Sequence, residues 1–257
     1  MATKKANGES LVALFEGVEE KGFGEVTSDD LRTPRIVQAL SPQRQKASPD
    51  YNADAEEGDL YFSGTNAVLS GEEGLLFLPV WYEKTLVEWK LREKGGGLVK
   101  VHPADSDLLN RCSRDSQNRL LTPSGETQLT TTANHYGYVL IEDTPQKCVI
   151  SMTGSQLKHS RYFNTLIQGT KMDGEKGSFT PPSYSHWYTI KTQTESNDRG
   201  SWYSYSISQE RSLNTKEADL FTEAKDFSEF CAGGGMNQLP NKSASTEAIE
   251  DNSKALY

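Results

Sequence analysis

The chain has few of the residue types from which metal sites and disulfide frameworks are built. It contains three cysteines and four histidines in 257 residues. Cys112, Cys148 and Cys231 are odd in number and far apart, which is typical of reduced thiols in a cytosol-like compartment. Neither residue type occurs in the close pairs of a zinc site, such as CxxC, HxH or HExxH. We therefore expect no cofactor and no metal.

Long hydrophobic runs are also missing. The longest, at residues 74–80, is far shorter than the roughly 20 residues that a membrane helix needs. No hydrophobic stretch of signal-peptide type follows the N-terminal lysines. The hydrophobic fraction is 35% and the mean hydropathy is −0.66, so we expect tails or long loops beside one core and no membrane contact.

The recognisable catalytic motifs are absent as well. There is no nucleophile elbow, dinucleotide fingerprint or P-loop, since Gly95–Gly97 lacks the Lys-Ser/Thr that must follow. Asp59 followed by Glu88 and Lys90 does match the spacing of a restriction-type nuclease, whose Glu and Lys share one strand face. The same Glu-x-Lys spacing recurs in apparent helices, at residues 19–21 and 223–225. We predict no enzyme, with a metal-dependent nuclease as the alternative.

Strand patterns dominate what is present. A run of apolar and alternating residues at 75–92 is broken by Gly95–Gly97 and resumes at 98–102, which predicts a hairpin. Further hairpins are predicted from segments 136–141 with 147–152 and from 187–193 with 201–208. Helical spacing appears at 10–22, 155–167 and 216–230, whereas 103–135 is polar and turn-rich. These patterns predict a mainly β fold with a few helices, an OB-like antiparallel barrel with extensions.

The same patterns divide the chain into three parts. Residues 1–28 are an N-terminal extension with a short helix, 29–232 a β-rich binding domain, and 233–257 a flexible, mildly acidic tail. The tail ends with acidic and hydrophobic residues that can dock on a protein partner. The predicted partner-binding residues are Glu250, Asp251, Leu256 and Tyr257.

Basic residues interleaved with aromatic ones form the strongest functional pattern. Cations can follow phosphates and flat rings can stack on bases, which are the two means of binding single strands. The net charge of −9 argues against bulk charge as the attraction, but a local basic patch is sufficient. The predicted nucleic-acid-binding residues are Tyr82, Lys84, Lys90, Arg92, Lys94, Lys100, Lys158, Arg161, Lys191, Trp202, Tyr203 and Tyr205.

Many of the rings must instead be core. On a strand, Trp202 and Ser204 face the opposite way from Tyr203 and Tyr205, so one hairpin can provide both core and platform. We expect Tyr82, Tyr203 and Tyr205 to be exposed, in contrast to Trp89 and Phe77.

Several motifs between residues 29 and 208 resemble bacteriophage proteins of the replication gene set, some of which are described as single-stranded DNA-binding proteins. The motifs are Arg32–Pro42, Glu57–Asp59, Pro79–Tyr82, Val87–Trp89, Gly95–Gly97, Lys158–Arg161 and Asn197–Trp202. The resemblance implies an OB-type fold without catalysis and cooperative coating of exposed strands. It also implies contact with a phage polymerase or helicase through the tail, in the cytoplasm of an infected bacterial host.

The leading hypothesis is therefore a single-stranded DNA-binding protein that acts in phage DNA replication or recombination without sequence preference. A homo-oligomer is compatible with it. The nuclease that uses Asp59, Glu88 and Lys90, and a phage protein–protein interaction module, stay open as alternatives.

Overall fold

The computed structural model describes residues 31, 33–63, 65–198 and 200–235. The predicted N-terminal extension (1–28) with its helix lies outside these residues. So do Glu250, Asp251, Leu256 and Tyr257 of the tail. Their contact with a protein partner stays a prediction.

The described chain is mainly β with a few helices, and its antiparallel sheet curls into a half-barrel that is consistent with an OB-like fold with extensions. The predicted fold class is confirmed. The strands are β1 (Thr33–Ile36), β2 (Leu60–Ser63), β3 (Ala67–Leu69), β4 (Leu75–Lys90), β5 (Leu98–Pro103), β6 (Ser113–Arg114), β7 (Leu120–Leu121), β8 (Thr127–Ile141), β9 (Thr144–Thr153), β10 (Met172–Gly174), β11 (Gly177–Phe179), β12 (His186–Asn197) and β13 (Gly200–Ser212). The α-helices are α1 (Leu108–Arg111), α2 (Leu157–Gly169) and α3 (Ala218–Ala232).

Two long strands, β4 and β8, organise the sheet. They pair antiparallel from Leu76 opposite Leu140 to Lys90 opposite Thr127. In the half that contains Leu76, the outer neighbours are β12 beside β4 and β9 beside β8. In the half that contains Lys90, the outer neighbours are β5 and β7. The first half is the core sheet, in the order β13-β12-β4-β8-β9, and the second half (residues 82–135) is here called the arm.

The strands bend where these two halves meet. The pairing of β4 with β8 shifts register between Pro79 and Trp81, and such a bulge increases local twist and accommodates a proline inside a strand. Gly137 lies opposite Pro79, and a Cβ there would come within 2.2 Å of the Leu78 carbonyl oxygen. A side chain at this position would therefore force β4 and β8 apart.

The predicted hairpins form, with two differences. Glu142 and Asp143 both have positive φ, as a two-residue hairpin turn requires, so the β8–β9 connection is shorter than the five residues expected. Residues 127–135 belong to β8 rather than to the predicted polar loop. Their threonines are polar but β-branched, and β-branched residues fit a strand well.

The sheet packs on both of its faces. On one face Phe163 of α2 is fully buried with Phe77, Ile150 and Tyr188. On the other face, Phe227 of α3 packs with residues of β8, β9 and β12, among them Tyr138, Val149 and Trp187. The helices predicted at 155–167 and 216–230 are thus confirmed. None of the helices in the described ranges is long and apolar enough to cross a membrane.

The start of α3 is fixed by a cluster around Glu217. Asn214 and Glu217 form a capping box, and the Glu217 carboxylate also binds the Arg211 guanidinium at 2.7 and 2.8 Å. The Trp187 indole Nε1 donates a hydrogen bond of 2.9 Å to the same carboxylate. These bonds, led by that of Arg211, lower the pKa of Glu217 to about 2.

A small sheet of β1, β2 and β3 covers the rest of the core, and β1 packs against β9. Gln38 lies two residues after the end of β1. Its side chain forms hydrogen bonds with the backbone of β13, which is the edge strand of the core sheet. Its Nε2 donates to the Tyr203 carbonyl at 2.8 Å, and the Tyr203 N–H donates to its Oε1 at 2.9 Å. One amide side chain therefore takes the place of a neighbouring strand.

Candidate nucleic-acid interface

One face of the arm brings together four of the predicted binding residues. Tyr82, Lys84 and Lys90 lie on alternate positions of β4, and alternate residues of a strand point to the same face. Lys100 on β5 joins them because it is paired with Glu88, which lies on that same face. All four are exposed. These four residues are called the arm face below.

Two lysines of the arm face, Lys84 and Lys90, are available to an anion. Within the described residues, neither Lys84 nor Lys90 forms an ion pair. The acid among them, Glu88, accepts hydrogen bonds from Thr127 Oγ1 at 2.6 Å and from His102 Nε2 at 2.8 Å. Desolvation raises the pKa of Glu88, but these hydrogen bonds outweigh it and the pKa lies below its ordinary value. Glu88 is thus ionised and partly neutralised by its neighbours.

The charge of the arm differs from that of the whole chain. Residues 82–135 contain eight lysines and arginines against seven acidic residues, while the chain carries a net charge of −9. The arm is therefore a locally favourable region for phosphate on an acidic protein.

The ring of Tyr82 rests on a buried support. Its centroid lies 5.0 Å from the centroid of the His135 ring, which in turn lies 5.0 Å from that of Phe163. His135 Nε2 is hydrogen-bonded to Ser160 Oγ of α2 at 2.9 Å. Burial lowers the pKa of His135 to about 3, so its ring is neutral at pH 7. Tyr82 remains 37% exposed and can accept another ring on its solvent side.

Two more predicted cations lie at the tip of the arm. Arg92 and Lys94 are both exposed in the 3-10 turn between β4 and β5. The Lys94 Nζ forms an ion pair of 3.1 Å with Glu126. The charge of Lys94 is therefore partly neutralised by Glu126, which reduces the attraction of the tip for an anion.

Lys158 and Arg161 lie on the exposed side of α2 rather than on the arm. The Lys158 Nζ binds Glu195 Oε1 at 2.7 Å, and His159 Nε2 binds the same oxygen at 2.9 Å. These contacts attach the first turn of α2 to β12. Lys158 is thus already engaged by a carboxylate.

The third predicted cluster is divided between two faces of the β12–β13 hairpin. Lys191 and Trp202 share one face, since Lys191 is opposite Ser206 and Trp202 is opposite Glu195, whereas Tyr203 and Tyr205 occupy the other. The predicted alternation is confirmed. Lys191 is exposed, and Trp202 is half-buried with its Nε1 donating to Ser204 Oγ at 3.1 Å.

The expectation that Tyr205 is exposed was wrong. It is 2% exposed, because the small sheet covers it and its hydroxyl lies 3.5 Å from the Pro34 carbonyl oxygen. Tyr203 is half-buried, and its ring lies so close to Gly58 that a Cβ there would come within 2.6 Å of it. Trp89 and Phe77 are buried as expected, at 3% and 0% exposed.

The three residues of the nuclease alternative do not converge. The Asp59 carboxylate accepts from the backbone N–H groups of Glu56 at 2.9 Å and Gly71 at 3.4 Å, beside the start of β4. Glu88 is near the opposite end of β4, on the order of 40 Å along the strand. No group of three or more histidine, cysteine or acidic side chains in the described part of the chain is placed to hold a metal ion.

The sequence did not predict the residues that hold the arm face in place. Thr127 and His102 hold Glu88, and Ser160 holds His135, across separations of 39, 14 and 25 residues. Such contacts follow from the register of β4 with β5 and β8 and from the seating of α2. No local pattern reports them.

An OB-like half-barrel with a near-neutral arm that bears exposed lysines and one exposed ring is thus the class of structure that the chain adopts. Residues 5–237 match the model of the Pam3 phage gp34-like protein family. The chain belongs to this family of phage proteins. No curated protein and no solved structure matches it.

Proposed function

We propose that the chain is a single-stranded DNA-binding protein that acts in phage DNA replication or recombination. The observation that carries this proposal is the arm face, where an exposed ring on a buried support is followed along one strand by available lysines. Stacking platforms combined with a positive track are the general means of holding single strands. Phosphates are the same in every sequence and every base has a flat face, so binding is independent of sequence.

The position of the arm in the fold supports the proposal. The core strands follow one another in the chain as β4, β8, β9, β12 and β13. OB folds bind oligonucleotides on the face of their second and third strands and with the loops that join strands one to two and four to five. The outer part of the arm is the connection between the first and second strands. This analogy supports the location, while the chemistry of the arm face supports the ligand.

The outer face of β8 and β9 is closed to DNA by α3. Leu220, Ala224, Phe227 and Cys231 of the helix are buried on that side of the sheet. Exposing a buried Leu or Phe costs about 1.5–3 kcal/mol each, so lifting the helix would consume much of the free energy of binding. The proposed path of the strand is therefore along the arm.

A titration of labelled oligo-dT at two salt concentrations tests the proposal. We expect single-stranded DNA to bind more tightly than duplex, with an affinity that falls as salt rises. The Lys84→Ala/Lys90→Ala variant loses two phosphate contacts, so its slope of log K against log salt becomes shallower by about 1.4, or about 0.7 per contact.

The control is Lys216→Ala/Lys225→Ala, which removes the same charge from exposed positions around α3. We expect this variant to retain the slope of the unmodified protein. Equal affinity for single strand and duplex, or an equal change in slope in both variants, contradicts the proposal.

A further inference from the structure

We infer that the solvent side of α2 continues the arm face, with Tyr162 as a second ring on which a base of the same strand stacks. This inference rests on the proposed function and extends the binding site beyond the arm. It assigns a role to a residue that the fold does not require for packing.

The exposed residues of α2 form one stripe. Lys158, Arg161, Tyr162 and Thr165 are all exposed, while Ser160 and Phe163 are buried on the opposite side, as the helical spacing of three and four residues dictates. Tyr162 is 52% exposed, more than Tyr82. A ring with half of its surface in water contributes little to the core and is open to a base.

Buried contacts place α2 beside Tyr82 of the arm face. Ser160 is hydrogen-bonded to His135 at 2.9 Å, and the His135 ring contacts that of Tyr82. Ser160 lies on the buried side of α2 and Tyr162 on its solvent side, so a strand that reaches both rings has to cross the width of the helix, about 10–12 Å with its side chains. A few nucleotides cover this distance, within the roughly 4–16 that an OB fold binds.

The two cations of the stripe differ in availability. Lys158 and His159 both bind Glu195, so their main effect is to hold α2 against β12. Arg161 is exposed and forms no ion pair within the described residues. Its guanidinium is therefore the phosphate contact beside Tyr162, since arginine suits phosphate geometry and remains charged at any working pH.

Affinity for a long oligo-dT of about 16 nucleotides provides the first test. We expect Tyr162→Ala to weaken binding about tenfold, as loss of one stacked base does, and Tyr162→Phe to bind like the unmodified protein. Tyr51→Ala is the matched control, because Tyr51 is 40% exposed in the loop before β2 and belongs to neither the arm face nor α2, and it should change nothing. Unaltered binding by Tyr162→Ala, while Tyr82→Ala weakens it, overturns the inference and leaves the proposed function intact.

Photo-cross-linking of oligo-dT that carries 5-iodouridine near one end or the other provides the second test. We expect one position to cross-link to Tyr82 and the other to Tyr162. Cross-links at Tyr82 alone from both positions overturn the extension to α2. Failure of the unmodified protein to bind any oligonucleotide would instead reject the proposed function together with the inference.

Discussion

At the scale of single residues, Tyr82 carries the most specific role in the proposed function. Its ring has a buried histidine on one side and solvent on the other. Because the support is already ordered, a base that stacks on Tyr82 does so without the entropy cost of fixing a free side chain.

We predict that Tyr82→Ala weakens binding of oligo-dT by about 1–3 kcal/mol, the usual effect of losing one stacked base. Tyr82→Phe retains the ring and should bind like the unmodified protein. Fluorescence anisotropy at one fixed salt concentration measures both. An equal loss of affinity in the two variants would show that the hydroxyl rather than the ring is responsible.

His135 couples folding to pH. Burial lowers its pKa to about 3 in the folded chain, against an ordinary value of 6.5. The unfolded chain therefore binds the proton more strongly. The contribution of the neutral His135 ring to the free energy of unfolding is fully present above about pH 6.5 and is lost as the pH falls toward 3. We predict a loss of about 2 kcal/mol in the free energy of unfolding between about pH 7 and about pH 5 from this residue.

Urea denaturation at these two pH values, on the unmodified protein and on His135→Gln, checks this prediction. Glutamine does not titrate, so the variant should lose less stability on acidification. His159 and His186 also have pKa values lowered by burial, but they are present in both proteins and cancel. The same pH dependence in both proteins would assign it to another group.

At the scale of elements, α3 is the part of the fold that most restricts the path of DNA in the proposed function. It covers the outer face of β8 and β9, with Phe227 against the ring of Tyr138 at a centroid distance of 5.9 Å. The Lys147 Nζ lies 5.2 Å from the centroid of the Phe227 ring. These contacts hold α3 against this face of the sheet.

We predict that Phe227→Ala lowers the free energy of unfolding by about 3–5 kcal/mol, the usual cost of removing a buried phenylalanine. The affinity of the folded variant for oligo-dT should stay unchanged, because α3 packs on the face of the sheet opposite to that of Tyr82. Phe221→Ala is the control, since Phe221 is 39% exposed on the same helix. Tighter DNA binding by Phe227→Ala would mean that the strand follows β8 and β9 instead of the arm.

The sequence predicts those elements whose signal is local. Alternating residues and the glycine triplet identify β4, β5 and the turn between them, and helical spacing identifies α2 and α3. The threonine-rich start of β8 was missed, because its partner strands and not its composition place it in the sheet. Tyr205 was misjudged for a similar reason, since Ser204 at 0% and Tyr205 at 2% exposed show that both faces of β13 are covered there. Alternation in a sequence separates two faces but does not report what covers each one.

At the scale of the whole molecule, the charge distribution matters more than its sum. In the proposed function, an acidic chain with one near-neutral, lysine-bearing arm repels DNA from most of its surface and accepts it at one place. The continuous pairing of β4 with β8 joins that place to the core without a flexible linker. The orientation of the arm face is therefore fixed by the same backbone hydrogen bonds that build the half-barrel.

The contact between Gln38 and Tyr203 protects part of the β13 edge from pairing with strands of other molecules. A half-barrel leaves strand edges unpaired, and an unpaired edge can recruit a strand from another molecule and begin an aggregate. The Gln38 amide occupies the donor and the acceptor of Tyr203 and so shields this part of the β13 edge. In the proposed function many copies gather along exposed DNA, and we expect this contact to reduce edge-to-edge pairing of β13 between those copies.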